Sequence, residues 1–165
     1  MFNKDKSKLK KAFRHAFILE YFYLAEIDGT YAGMAAVSDQ LTEVVKLQKK
    51  ELTKHLGFIK GRIAHYFLKK EFAAVEKPAK PLMPEISFVS VLESKQRKGV
   101  AFKLINELIK NTSYNTYTLE VASSNYQAIA LYEKLGFKHY SKHPVKNSKQ
   151  AGFDYYMYMV YSKTN

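Results

Sequence analysis

The chain has 165 residues, of which 47% are apolar or aromatic, enough for one domain that buries about 70% of its unfolded surface. It has no cysteine, which excludes disulfides, zinc–thiolate sites and an acyl-enzyme on a protein thiol, and no apolar run approaches the ~20 residues of a membrane span, so a cytoplasmic protein with no membrane partner is expected. The formal charge of +12 comes from 24 lysines and only 3 arginines, a balance that weighs against nucleic acid and favours solvated lysines around a cleft for an anionic ligand.

In chain order, Lys6 to Phe17 places Leu9, Ala12, Phe13, Ala16 and Phe17 at helical spacing, which predicts a short amphipathic helix. Glu20 to Ile27 and Tyr31 to Val37 are rich in aromatic and β-branched residues and flank Asp28-Gly29, so an antiparallel hairpin with a type I′ turn is expected. Leu41, Val44, Val45, Leu52 and Leu56 keep a helical period that ends at Gly57. A second helix follows through Phe58, Ile59, Ile63, Tyr66 and Phe67, interrupted at Gly61 and stopped by the proline loop from Lys77 to Pro84.

Ile86 to Leu92 reads as a strand, Val100 to Lys110 as a helix, and Thr116 to Ala122 as a strand. Ser123 or Ser124 is expected to cap the next helix, which Gly136 ends, and Phe137 to Tyr140 and Asp154 to Tyr161 form a last strand pair. No tight metal-ligand spacing joins His15, His55, His65, His139 and His143, so no metal is assigned. No Gly-x-Ser-x-Gly elbow is present.

The most informative segment is Gln96-Arg97-Lys98-Gly99-Val100-Ala101, a basic loop between a strand and a helix. The first turn of a helix presents N–H groups without internal partners and about half a positive charge, which suits a phosphate. Downstream lies Asn125-Tyr-Gln-Ala128-Ile-Ala-Leu131-Tyr132-Glu-Lys134-Leu-Gly136-Phe137. Together these segments resemble the GNAT superfamily of N-acetyltransferases: the first matches its Q/R-x-x-G-x-G/A pyrophosphate loop, the second its N-x-x-A-x-x-L-Y-E-K-L-G-F helix. The resemblance implies an α/β (α+β) GNAT fold with a mixed, mostly antiparallel sheet. Measured against that pattern, the first strand is missing and residues 41–75 are a helical insertion between the third and fourth family strands, all within a single acyltransferase domain.

The resemblance also implies acetyl-CoA as co-substrate and an amine as acceptor. Val89 and Val91 would pair through their backbones with pantetheine, and the Val91 N–H would polarise the thioester carbonyl. Gln96, Arg97, Lys98, Gly99, Val100, Ala101 and Phe102 would surround the pyrophosphate. Asn125, Ala128 and Lys134 would line the cofactor from the second motif. Tyr132 would supply a proton to the leaving thiolate, and Glu85 would take the proton of the amine, with Glu120 on the neighbouring strand as its competitor. A second reading of the chain is a catalytically degenerate CoA-binding or basic nucleic-acid-binding module. The sheet edge that the missing strand leaves at Glu20 to Ile27 would need covering by the N-terminal helix, by the inserted helices or by a second subunit of a homodimer.

Overall fold

The computed structural model describes residues 5–39, 44–73 and 83–163. These fall into two compact units, one built from residues 1–20 and 43–81 and the other from residues 21–42 and 82–165.

The first unit is helical. Helix α1 (Lys6–Phe13) begins at Asp5, whose carboxylate accepts from the N–H groups of Ser7 and Lys8 at 3.0 and 3.2 Å. It stops short of the expected Phe17, because Ala16 and Ile18 exchange backbone bonds with Lys46 and Val44 and Phe17 bridges Val45. That bridge also corrects the expected helix from Leu41: Val44 is a bend, Val45 pairs with Phe17, and α2 spans only Lys49–Leu56, with Leu41 outside the described residues. Gly57 ends α2 at φ 86°, as its position predicts.

Helix α3 (Phe58–Ala73) runs through Gly61 without a break. The glycine is there for close approach: a Cβ at position 61 would lie 2.4 Å from the Thr53 Cα of α2. Most of the proline loop lies outside the described residues.

The second unit is a six-stranded sheet in the order β1-β2-β3-β4-β6-β5. Strands β1 (Phe22–Ile27) and β2 (Thr30–Ser38) form the expected hairpin, with Asp28 and Gly29 at φ 52° and 70°. β1 is an edge of the sheet, and no described residue pairs outside it. Then follow β3 (Glu85–Val91), α4 (Val100–Asn111), β4 (Thr116–Ala122) and α5 (Tyr126–Lys134). The chain ends in β5 (Lys138–Pro144), the short α6 (Ser148–Ala151) and β6 (Tyr155–Ser162). Every neighbouring pair is antiparallel except β3 with β4.

One sheet face, α4 and α5 form the core of this unit. Tyr117, Leu119, Val121 and Met159 point to this side, where Leu104, Ile105, Leu108 and Ile109 of α4 and Tyr132 of α5 pack on them. By the alternation of strands, the other face carries Thr118 and Glu120 of β4 with Tyr156 and Tyr158 of β6.

Candidate active site

β3 and β4 are in register only at Glu85 and Thr118, where the Thr118 N–H also donates to Pro84 O at 2.7 Å. Beyond that point the two parallel strands part. On its other side β3 stays paired with β2, although Ala36 faces Ser87 while Met34 faces Ser90, so β3 holds one extra residue there. Phe88 sits at this bulge with φ 53°, in the left-handed region that glycine normally takes. Leu92 N–H donates to Ala32 O at 2.9 Å, which makes Leu92 and Ala32 a hydrogen-bonded pair. The preceding residue of an antiparallel ladder faces the other way, so the N–H and C=O of Val91 are turned from β2 toward the gap beside β4. Two residues back, Val89 follows the bulge directly, and its side chain packs on the core.

The loop after β3 is built for close approach. A single 3₁₀ turn, Glu93–Lys95, leads to Gln96, whose side-chain amide donates to Val91 O at 3.2 Å. Gln96 thus ties the loop to the end of β3. Arg97 and Gly99 both have positive φ, 58° and 75°, and Gly99 is the N-cap of α4. A Cβ at Gly99 would meet no atom within 4 Å, so its backbone conformation rather than crowding selects glycine, and the space above it is open. Lys103 N–H makes the first helical bond, to Gly99 O at 3.0 Å. By helix geometry the N–H groups of Val100, Ala101 and Phe102 point out of that end. Lys98 reaches back to Ser94 O at 3.2 Å. The exposed Lys134 of α5 lies 5.5 Å from the Phe102 ring centre, which brings a cation of the second motif to the first turn of α4.

Asn125, rather than Ser123 or Ser124, caps α5, its Oδ1 accepting from the Ala128 N–H at 3.2 Å. Tyr132 is 7% exposed, packs against Phe137 with ring centres 6.0 Å apart, and burial holds its hydroxyl above the ordinary tyrosine range. It lies on the helix side of the sheet.

Glu85 opens β3 half-buried and faces the opposite side from the core residue Ile86. Glu120, two residues past Thr118 on β4, shares that side, and its carboxylate accepts from the Tyr158 hydroxyl at 2.5 Å. The sequence reading missed Tyr158. The only signal for it was the alternation within Tyr155-Tyr-Met-Tyr-Met-Val-Tyr161, which sets Tyr156 and Tyr158 on one face.

Elsewhere, in the helical unit, an open cavity of about 400 Å³ is lined by Lys11, Arg14, His15, Glu51 and His55, none of them a residue the motifs single out. Among the described residues no group of three or more His, Asp or Glu is arranged to hold a metal, and no helix is long and apolar enough to cross a membrane.

Comparison with known proteins bears on this arrangement. A solved N-acetyltransferase from Staphylococcus aureus Mu50 shares the fold with a TM-score of 0.62 at 17% identity, over 97% of this chain and 82% of that one. A GNAT family acetyltransferase from Elizabethkingia anophelis, solved with acetyl-CoA bound, superposes with a TM-score of 0.55 at 15% identity, over 88% and 81%. An N-alpha-acetyltransferase of Saccharolobus solfataricus (strain ATCC 35092 / DSM 1617 / JCM 11322 / P2) is 50% identical over 54 residues, 30% of this chain. The matched stretch spans about a third of that relative, 32% of its length. Residues 2–137 match the family model described as "Acetyltransferase (GNAT) family". Matched by the family model over most of its length and sharing the fold of a solved N-acetyltransferase, the chain belongs to the GNAT family of acetyltransferases.

Proposed function

We propose that this protein is an N-acetyltransferase that moves an acetyl group from acetyl-CoA to an amine by direct attack in a ternary complex. The observation that carries the reading is the parting of β3 and β4 beyond Glu85 and Thr118, next to a loop that ends in the exposed first turn of α4. A pantetheine arm can add along an extended strand edge, and Val89 and Val91 lie on one; the Val91 carbonyl, which already accepts from Gln96, keeps a second lone pair for it. A pyrophosphate needs converging N–H groups and nearby cations, and Val100, Ala101 and Phe102 with Arg97, Lys98 and Lys134 supply both. When bound, acetyl-CoA supplies a thioester whose carbonyl the amine attacks and whose thiolate leaves.

The residues divide the remaining work by sheet face. On the helix side Tyr132 donates to the departing sulfur. An ordinary tyrosine titrates near 10 and a thiol near 8.5, so full proton transfer costs about 2 kcal/mol, and the burial of Tyr132 adds to that. Tyr132 therefore acts mainly as a hydrogen-bond donor to the thiolate. The Val91 N–H polarises the thioester carbonyl. On the other face Glu85 and Glu120 draw in the ammonium. Glu120 takes its proton, supported by its place two residues beyond the strand junction, where the gap has begun to open; Glu85 sits at the junction itself.

The short match to an N-alpha-acetyltransferase makes the α-amine of a peptide the first acceptor to test. The assay is release of free thiol from acetyl-CoA against a panel of peptides, diamines and lysine derivatives. Saturable release with at least one amine is expected. Absence of release together with absence of CoA binding sinks the proposal, and CoA binding without release would favour the degenerate binding module.

A further inference from the structure

Tyr158 lies directly across the β4–β6 ladder from Glu120, and its hydroxyl donates to Glu120 Oε2 at 2.5 Å. The His143 ring of β5 backs it from the far side, with ring centres 4.9 Å apart and planes near perpendicular. Tyrosine is a costly choice for a half-buried strand position if only area matters, because its hydroxyl must find a partner. Here the partner is the carboxylate to which the reaction assigns the proton.

We propose that Tyr158 is a positioning residue for Glu120, fixing its carboxylate beside the strand gap so that it meets the incoming amine in one orientation. The inference rests on the reading above, in which Glu120 accepts the amine's proton. The hydroxyl keeps its proton throughout the working range: burial raises its pKa most, followed by the Glu120 hydrogen bond and then the charges of Glu120 and Glu85 and the neighbouring Tyr156. The groups that face it are thus Glu120 from β4, Glu85 from β3, Tyr156 from its own strand and His143 from β5. A donor that never ionises near neutral pH stabilises the carboxylate form of its partner.

The test is Tyr158→Phe, which removes the oxygen and keeps the ring. Three readouts are taken with whichever amine the panel identifies: the pH profile of kcat/KM, the affinity for acetyl-CoA and the melting temperature. Loss of the donor is expected to move the acidic limb of the profile to higher pH and to lower kcat at neutral pH about tenfold, with acetyl-CoA affinity unchanged. In a Glu120→Gln background the same substitution should have no further effect on kcat, since its route is through Glu120. An unchanged pH profile in Y158F, or equal losses in both backgrounds, overturns the inference. If E120Q itself works like the unaltered enzyme, the assignment of the base fails, and that outcome is distinct from an inactive E120Q with an indifferent Y158F. Should Y158F melt out, Tyr158→Leu, which likewise carries no donor and adds no titrating group, is read on the same profile and in the same background and gives the same decision.

Discussion

Two buried tyrosines on the helix side of the sheet illustrate how one residue type serves different ends. Tyr117 is fully buried, and its hydroxyl meets Thr112 Oγ1 at 2.5 Å and donates to Ile109 O at 3.1 Å, so it closes the end of α4. For Tyr132 the proposed work is chemical. Tyr132→Phe keeps the ring contact with Phe137, so acetyl-CoA affinity should hold while kcat falls roughly 10- to 100-fold, read by steady-state kinetics beside a binding titration. The same variant carries a pH signature. Burial raises the folded-state pKa of Tyr132, so its contribution to stability is intact below about pH 10 and is lost as pH climbs toward the raised value. Melting measured between about pH 9 and 11 should therefore decline less steeply in the phenylalanine variant, and identical slopes would show that this hydroxyl is not desolvated in solution.

At the level of elements, the conformation of the loop before α4 shows what the sequence made legible. Gln96, Gly99 and Ala101 marked it, and the left-handed N-cap at Gly99 follows from glycine's freedom at positive φ. Gly99→Ala should cost about 1 kcal/mol of strain and weaken acetyl-CoA binding several-fold more than it lowers the melting temperature, since the helix can re-form with its first N–H groups turned aside. Calorimetric titration and a thermal scan check the two halves. Other features left no local trace. Val44 and Val45 have helical spacing yet form a bridge with the segment around Phe17, a pairing that only tertiary structure decides. Gly61 read as a helix breaker because sequence spacing cannot reveal that Thr53 of α2 would touch its missing Cβ. The Glu120–Tyr158 bond joins residues far apart in sequence and depends on the β4–β6 register, which no motif encodes. The bulge at Phe88 has no compositional cue either, since phenylalanine is among the residues least suited to φ 53°.

Over the whole chain, charge is unevenly distributed. The helical unit holds 16 of the 27 lysines and arginines and 6 of the 15 acids, which leaves the sheet unit with 11 cations against 9 acids. Of those 11 cations, Lys95, Arg97, Lys98, Lys103 and Lys134 belong to the loop before α4, to the start of α4 and to the second motif, where the proposed reading places the polyanion. Raising ionic strength from about 0.05 to 0.5 M, which shortens the screening length roughly threefold, should raise the KM for acetyl-CoA several-fold and leave kcat nearly constant. A KM indifferent to salt would mean that main-chain amides alone grip the phosphates.

The strands β3 and β4 touch at one end only, so the opening between them is a notch and not an eyelet. On the proposed reading, with thiol and Tyr132 on one side and the carboxylates on the other, a compound that covalently joins acceptor to CoA would straddle the sheet. It can do so by sliding in from the open end, with no need to unravel a strand, and its two halves would then be held on opposite surfaces of the same layer.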